Sequence, residues 1–188
     1  MLPKIILCSQ SPRRKELLTG AGFDFETYIP DVEEVFDDNM SVLDVPEYLA
    51  VLKYNAIPND IKKNRIIITA DTVVVLENGI IGKPKDLEDA KHILARLSGK
   101  KHQVITGVVV AYEDRIHQFS DITDVYFYEI TPTEIDFFVE KYKPLDKAGA
   151  YAIQEWIGYI GVKKIEGCFY NVMGLPIPRV YQMLKQFQ

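Results

Sequence analysis

The sequence has little of several features that would place it in a specialised class of protein. Only two cysteines, Cys8 and Cys168, occur among its 188 residues. This argues against a disulfide framework or a cysteine-rich zinc site, and we expect two buried free thiols. No apolar run reaches the roughly 20 residues that a membrane-spanning helix needs. The apolar start before Ser9 is too short for a secretory signal peptide. These shortages predict a cytoplasmic protein with no membrane partner.

An excess of basic charge is missing as well. The formal net charge is −5, whereas nucleic-acid-binding domains usually carry a basic surface, so we expect no nucleic-acid partner. The motifs Walker A, G-x-G-x-x-G, G-x-S-x-G and H-E-x-x-H do not occur, which removes several common signatures of nucleotide binding, hydrolysis and metal binding. The composition, 47% hydrophobic and 26% charged, is that of a globular protein. The length fits a single domain over residues 1–188.

Hydrophobic patterns along the chain predict alternating strands and helices, which is typical of an α/β protein. The apolar, β-branched stretch 65–70 predicts a buried strand that ends at Asp71. The dipeptide Asn78-Gly79 predicts the type I′ turn of a hairpin. Further predicted strands are 23–29, 73–77, 80–82, 103–112, 116–128, 156–162 and 168–173. Further predicted helices follow Ser11, Asp44, Asp86, Thr131 and Pro176, and the one after Asp86 should bury Ala90, Ile93, Leu94 and Leu97.

A basic turn follows the first strand. Ser11 is a good N-cap, and Pro12 suits the first helical position. Arg13 and Arg14 then crowd a helix N-terminus, which by itself favours negative charge. Two interpretations stay open on spacing alone. Either an anion binds to the backbone N–H and guanidinium groups, or the turn is a solvated basic surface.

Acidic residues that could complement this turn lie in two places. Asp71 stands between two apolar runs, either as a functional carboxylate at the end of a central strand or as a loop residue with an ordinary hydrogen bond. Glu33 and Glu34 belong to the acidic stretch 31–38, which is either a solvated loop or a cation site. Lys53 lies at the edge of a helical apolar stripe, where a lysine side chain usually reaches solvent.

Taken together, the charged residues outline a phosphate site. Five cations could neutralise a polyphosphate, namely Arg13, Arg14, Lys53, Lys83 and Lys147, and three carboxylates could hold a divalent metal, namely Glu33, Glu34 and Asp71. Hydrolysis of a phosphoanhydride needs cations on the leaving phosphates, a metal ion and a base for water. The residues alone therefore indicate a protein that binds phosphate with a metal ion.

Six short motifs occur in order between Ser9 and Pro176. They are Ser9-Gln10-Ser11-Pro12-Arg13-Arg14, Ala70-Asp71-Thr72, Gly82-Lys83-Pro84, Leu97-Ser98-Gly99 with His102, Asp146-Lys147-Ala148-Gly149-Ala150-Tyr151 with Gln154, and Met173-Gly174-Leu175-Pro176. Each motif is weak alone, but the six in this order are specific and span nearly the whole chain. Together they resemble the Maf family of nucleoside triphosphate pyrophosphatases, once named as septum-formation inhibitors.

The resemblance implies a mixed α/β fold with an elongated central sheet flanked by helices, and two lobes with the site in the cleft between them. It implies hydrolysis between the α and β phosphates of a nucleoside triphosphate, with Mg²⁺ or Mn²⁺ as the cofactor and a homodimer as the assembly. Asp71 would be the general base for water and would hold the metal with Glu33 or its neighbour Glu34. The residues implied at the phosphates are Ser9, Ser11, Arg14, Lys53 and Lys83.

The same resemblance bears on the nucleobase. Arg13, Thr72 and Gln154 are similar to the positions of the subgroup that acts on dTTP and UTP. The subgroup that prefers 7-methyl-GTP carries a tryptophan in the first motif and a glutamate near position 154. An amide such as Gln154 can both donate to and accept from a pyrimidine edge, which a carboxylate cannot. The sequence departs from the usual pattern at Ala152 and at 155–157, so these positions bear on specificity.

Two other functions fit parts of the pattern. A nucleotide-binding regulator of cell division would need no water-activating carboxylate, whereas Asp71, Lys83 and the acidic stretch favour an enzyme. A nucleotidyltransferase also uses a basic loop after its first strand, but it normally has a glycine-rich loop before the arginine. The segment 8–11 contains no glycine.

Overall fold

The computed structural model describes residues 2–187, and within them seven strands form a mixed sheet. The strands are β1 (Lys4–Cys8), β2 (Phe25–Thr27), β3 (Arg65–Leu76), β4 (Gly79–Ile81), β5 (Lys101–Tyr112), β6 (Arg115–Phe127) and β7 (Val162–Glu166). Their order is β2-β1-β3-β5-β6-β7, with β4 paired to β3. β1 is parallel to β2 and β3, whereas β4 and β7 are antiparallel to β3 and β6. The mixed sheet confirms the predicted fold class.

Helices flank this sheet. Within residues 2–187 they are α1 (Pro12–Gly20), α2 (Val45–Asn55), α3 (Asn59–Lys62), α4 (Leu87–Leu97), α5 (Pro132–Tyr142), α6 (Trp156–Gly161), α7 (Phe169–Val172) and α8 (Ile177–Leu184), with 3-10 turns at Ala148–Ala150 and Lys185–Phe187. None of the helices in this described range is long and apolar enough to cross a membrane.

The chain divides into two compact units. Unit 1 contains the residues up to Asp71, Thr106–Asp121 and the residues from Gly174 onward, and unit 2 contains Thr72–Ile105 and Ile122–Met173. The long strands β3, β5 and β6 each contribute residues to both units. Each unit buries large apolar side chains of its own, among them Leu7, Leu18 and Ile67 in unit 1 and Leu94, Phe138 and Ile157 in unit 2.

Helix α2 packs closely on β5 within unit 1. Ala50 of α2 is completely buried and lies in a cluster with Val109 and Ala111 of β5. A Cβ atom added at Gly107 would lie 2.2 Å from the backbone nitrogen of Glu47, far inside van der Waals contact. Glycine is therefore required at this crossing of helix and strand.

Capping side chains fix where the two longest helices of unit 2 begin. The Asp86 side chain accepts a hydrogen bond from the Asp89 backbone N–H and starts α4. Thr131 and Glu134 form a complete capping box at the start of α5. The predicted apolar stripe of α4 is confirmed, since its buried residues are Ala90, Ile93, Leu94 and Leu97.

The predicted hairpin between β3 and β4 is present, but its turn is shifted by one residue. Leu76 pairs with Gly79, so the two central residues are Glu77 and Asn78. Both have positive φ angles, 52° and 67°, as a type I′ turn requires. The Asn-Gly signal thus identified the turn while misplacing its centre.

Two predicted strands in unit 2 are wrong. Residues 156–161 form helix α6, which begins as the Gly158 N–H donates to the Glu155 carbonyl oxygen at 2.9 Å. Residues 169–172 form helix α7. Both segments are short and rich in aromatic and β-branched residues, and periodicity cannot separate helix from strand in such runs. The expectation for the thiols is half right, because Cys8 is buried and Cys168 only partly so.

Candidate active site

The turn before α1 is ordered by its own hydroxyl groups. Ser9 is buried, and its Oγ accepts hydrogen bonds from the Ser11 N–H at 3.1 Å and from the Arg14 guanidinium at 3.2 Å. The Ser11 side chain caps α1 by accepting from the Arg14 N–H at 3.5 Å. These bonds confirm the predicted N-cap. Each hydroxyl keeps its own proton as a hydrogen-bond donor.

Arg14 lies beneath this turn and donates to protein acceptors. Its Nε donates to the Gly174 carbonyl oxygen at 2.7 Å, and one terminal nitrogen donates to the Ala70 carbonyl oxygen at 2.9 Å as well as to Ser9. Burial lowers the pKa of Arg14 from its ordinary value, and the carboxylate of Asp71 acts in the opposite direction. An arginine stays charged even so. A buried positive charge therefore lies beside the predicted general base.

Asp71 lies inside β3, and the prediction that the strand ends there is wrong. The strand continues unbroken from Arg65 to Leu76. Lys53 of α2 makes this possible, because its Nζ donates to Asp71 Oδ1 at 2.6 Å. A carboxylate in the middle of an apolar strand is tolerated when a charged partner satisfies it.

The position of Lys53 follows from how α2 docks on β3. The buried Thr69 hydroxyl donates to the Ala50 carbonyl oxygen at 2.7 Å, which joins the helix to the strand one turn before Lys53. The lysine side chain is only 11% exposed and that of Asp71 13%. The expectation that Lys53 reaches solvent is therefore wrong. Its ammonium, which ordinarily reaches water, is held here by the carboxylate of Asp71.

The acidic stretch contributes Glu34 to this group. Glu34 Oε1 lies 3.0 Å from Lys53 Nζ, with its side chain 52% exposed, and its charge also acts on Arg14. Glu33 is exposed, and its backbone carbonyl accepts from the Val35 N–H. Of the two neighbours that the sequence left open, the structure places Glu34 at Lys53 and Asp71.

In unit 2, the predicted substrate residues occupy different environments. Thr72 follows Asp71 on β3 and is half-buried, whereas Lys83 is exposed on the segment between β4 and α4. Gln154 is half-buried, and its Oε1 is a buried oxygen for which no hydrogen-bond donor is found among residues 2–187. Such an acceptor is expected to receive a donor from a ligand or from water.

The loop that carries Gln154 is held at several points. The Gly149 N–H donates to the Gly82 carbonyl oxygen at 3.2 Å, which joins this loop to the segment of Lys83. Buried Lys147 donates to Asp146 at 2.7 Å and lies 3.5 Å from Glu155. Lys147, a candidate phosphate cation on sequence grounds, is thus held by two carboxylates.

A buried pair of rings also anchors this loop. A hydrogen bond of 2.7 Å joins His102 Nε2 to the Tyr151 hydroxyl, and the two rings meet edge to face. Burial lowers the pKa of His102 to about 4. His102 therefore has a structural role, because it anchors the loop through Tyr151.

The donor set at Asp71 can be compared with what a metal ion requires. Within residues 2–187, no three His, Cys, Asp or Glu side chains are close enough to form a metal-binding cluster. Magnesium, however, is commonly held by one or two carboxylates together with substrate phosphates and water. Glu34 and Asp71 contact the same ammonium group, so this chain offers two neighbouring carboxylates. That pair fits magnesium delivered with a polyphosphate.

The chain is thus an α/β protein in which a buried pair of lysine and carboxylate lies beside the basic N-terminus of helix α1. The model of the family described as "Maf-like protein" matches residues 4–187. The chain therefore belongs to the Maf-like family, as the six motifs predicted.

Several bacterial relatives align over almost the whole chain. A protein of Phocaeicola vulgatus is 48% identical over 97% of this chain and 95% of its own length, and one of Bacteroides thetaiotaomicron is 46% identical over the same shares. A protein of Cytophaga hutchinsonii is 44% identical over 97% of this chain and 83% of its own. All three are named dTTP/UTP pyrophosphatase. Among solved structures, the Staphylococcus aureus Ham1 protein covers 66% of this chain and 71% of its own, with 15% identity and a TM-score of 0.44.

Two features of the site had only weak signals in the sequence. The partners of Arg14 lie on segments 56 and 160 residues away, so no local pattern reveals them. The choice of Glu34 over Glu33 depends on the path of a loop without regular structure. The sequence held one signal for the burial of Lys53. Its spacing along α2 places it at the edge of the apolar stripe that faces the core.

Proposed function

We propose that this protein hydrolyses dTTP and UTP at the α–β phosphoanhydride and releases the nucleoside monophosphate and pyrophosphate. The observation that carries the proposal is the buried pair of Lys53 and Asp71, which holds a carboxylate inside β3 beside a basic helix N-terminus. Relatives that are 44–48% identical bear the name of this activity, and their alignments cover nearly all of the chain.

Asp71 is the group that we assign to the attacking water. Lys53 donates to Oδ1 and so orients the carboxylate. The other oxygen, Oδ2, is then the one that we assign to accept the water's proton. A general base held in place in this way contributes roughly 10²–10⁴-fold to a rate. Lys53 also supplies positive charge next to the reacting phosphate, where negative charge builds up in the transition state.

A magnesium ion fits the pair formed by Glu34 and Asp71. When bound, it supplies Lewis-acid stabilisation of phosphate oxygens and lowers the pKa of a bound water. The chain itself presents two carboxylates, and Lys53 holds them near one another by contacting both. Manganese has the same preference for oxygen ligands. The resemblance implied Glu33 or Glu34 as a metal ligand. We assign Glu34, because it is Glu34 rather than Glu33 that contacts Lys53.

Different residues are assigned to the two parts of the substrate, its phosphates and its base. We assign the phosphates to Arg13, Lys83 and the hydroxyls of Ser9 and Ser11, and the base to Thr72 and Gln154 together with Arg13. The buried Oε1 of Gln154 is matched by the ring N–H of uracil or thymine, while its amide N–H can donate to a ring carbonyl. A cytoplasmic homodimer stays a prediction, which light scattering on the purified protein can check for the assembly.

Product analysis with a panel of nucleotides tests this function. The full chain is incubated with Mg²⁺ and UTP, dTTP, CTP or 7-methyl-GTP, and nucleotides and pyrophosphate are separated by ion-exchange chromatography. We expect monophosphate and pyrophosphate in equal amounts from UTP and dTTP, with kcat/KM at least about tenfold above the other two substrates. Formation of UDP and inorganic phosphate would contradict the cleavage site, and nucleotide binding without turnover would favour the regulator instead.

A neighbouring pair of lysines provides a matched control for the phosphate contacts. Lys83 and Lys85 are both exposed on the same segment, but only Lys83 belongs to the site. Lys83→Gln should raise the KM for UTP about tenfold or more, as loss of a charge-assisted bond predicts. Lys85→Gln should leave KM unchanged. Equal effects of both substitutions would point to general attraction of the anion rather than a specific contact.

A further inference from the structure

The contacts of Arg14 differ from those expected of a residue that binds a phosphate. A phosphate-binding arginine directs its fork of donors at the ligand. The Arg14 side chain instead donates to the Gly174 carbonyl, the Ala70 carbonyl and the Ser9 hydroxyl, at 2.7, 2.9 and 3.2 Å. These acceptors belong to three segments that are distant in sequence, and the residue is only 9% exposed.

We infer that Arg14 is a positioning residue that fixes the backbone at Asp71 by joining three segments of the chain, rather than a direct phosphate ligand. The inference rests on the proposed function in one respect, because it concerns the same carboxylate. It changes the role that the family resemblance implied for Arg14, and it leaves Arg13 as the arginine of the first motif that meets substrate.

The peptide that Arg14 holds is the one that precedes Asp71. The Ala70 carbonyl and the Asp71 nitrogen belong to the same planar peptide unit, so a bond to this oxygen restricts the φ angle from which the Asp71 side chain projects. Lys53 holds the carboxylate at the other end. Asp71 is therefore restrained both at its backbone and at its side chain.

The second carbonyl belongs to a glycine whose backbone has a positive φ angle. Gly174 has a φ angle of 109°, which lies in the region that favours glycine. Its carbonyl oxygen accepts the shortest of the three bonds, from Arg14 Nε. Gly174 is thereby joined to the turn after β1 and to β3 through one guanidinium group.

Only a guanidinium can make this set of contacts. Nε and the terminal nitrogens lie in one rigid plane and can reach several acceptors at fixed angles, whereas a lysine ammonium is a single point of charge. Substituting Arg14 by lysine therefore keeps the positive charge and removes the geometry. This distinction separates a positioning role from a phosphate contact.

Steady-state kinetics of Arg14→Lys provide the first test. We expect kcat for UTP to fall about 100-fold, the scale of a misplaced catalytic group, while KM changes by less than about threefold. Arg13→Lys should do the opposite, with a raised KM and a smaller loss of kcat. A raised KM with a preserved kcat in Arg14→Lys would overturn the inference, because that result is expected of a phosphate ligand.

Hydrogen exchange tests the same inference without turnover, so that a failure of the proposed function does not obscure the outcome. In Arg14→Lys, amide protection should fall by at least about tenfold in both 69–72 and 173–175, since both carbonyls lose their common donor. Lys15→Gln, one residue along α1, should leave both segments unchanged. Protection that is unaltered in either segment would contradict the proposed linkage.

A measurement on the unsubstituted protein covers the case in which Arg14→Lys does not fold. The Nε–H proton of Arg14 should give a slowly exchanging NMR signal, because it is buried and bonded to Gly174. Addition of the non-hydrolysable analogue α,β-imido-UTP with Mg²⁺ should leave this signal in place and shift that of Arg13. A large shift of the Arg14 signal, with rapid exchange beforehand, would show a phosphate contact and overturn the inference.

Discussion

Substitution of Lys53 should destabilise the protein more than substitution of Asp71, its buried partner. Lys53 Nζ lies 2.6 Å from Asp71 and 3.0 Å from Glu34, and the Lys53 and Asp71 side chains are 11% and 13% exposed. Lys53→Met retains most of the side-chain volume but removes the ammonium group that donates a hydrogen bond to the buried carboxylate of Asp71. Asp71→Asn leaves Lys53 with Glu34 and keeps an oxygen that can accept from Nζ. Loss of the lysine should therefore lower the free energy of unfolding more than loss of the carboxylate.

The magnitude follows from the burial of each group. Breaking a buried ion pair by removing one partner costs about 3–5 kcal/mol, and the partial exposure here favours about 3 kcal/mol for Lys53→Met. Asp71→Asn should cost about 1 kcal/mol, the scale of a weakened hydrogen bond. The double variant should be more stable than Lys53→Met alone by about 1–2 kcal/mol, because the second substitution removes a buried carboxylate charge that has lost its hydrogen-bonded lysine.

Urea unfolding followed by far-UV circular dichroism measures these values, with each free energy obtained by linear extrapolation. Exposed Lys83→Met is the control and should lie within about 0.5 kcal/mol of the wild type. A double variant less stable than Lys53→Met would contradict this expectation, since it would show that Asp71 is stabilising without its lysine. Equal losses in the two single variants would refute the predicted asymmetry.

Three further predictions concern acid stability, packing and specificity. Because burial lowers the pKa of His102 to about 4, the unfolded chain binds a proton below about pH 6.5 that the folded chain does not. The wild type should thus lose about 2 kcal/mol between pH 7 and pH 5 through this group, and His102→Gln should lose less over the same interval in urea titrations. Gly107→Ala should cost about 3 kcal/mol, seen as a lower Tm, because its Cβ would lie 2.2 Å from the backbone of α2. Gln154→Glu should lower kcat/KM for UTP relative to 7-methyl-GTP, and an unchanged ratio would remove Gln154 from base recognition.

Much of the fold could be predicted where local chemistry decides the structure. Helices α1, α4 and α5 begin at capping side chains that are visible in the sequence, and the stripe of α4 repeats at helical spacing. The aromatic segment of α6 carried no such signal. Its helix depends on a close approach at Gly158, where a Cβ atom would lie 1.8 Å from the Ile153 carbonyl oxygen.

The site was predictable as a set of residues and much less as a set of contacts. The motifs identified Asp71 and Arg14, and the family resemblance added Lys53, but the relations of these residues depend on contacts between distant segments. Lys53 was expected in solvent because its helical position is marginal, and only the docking of α2 on β3 buries it against Asp71. The role of Arg14 depends on Gly174, which is 160 residues away.

The rate of pyrophosphate release from UTP by Asp71→Asn is the sharpest test of Asp71 as the general base. Asparagine keeps the size of Asp71 and can still accept a bond from Lys53, but it cannot take a proton from water. At saturating UTP and Mg²⁺, we expect a kcat at least about 100-fold below that of the wild type, with UTP binding largely retained. An Asp71→Asn enzyme as active as the wild type would contradict the assignment of Asp71 as the base.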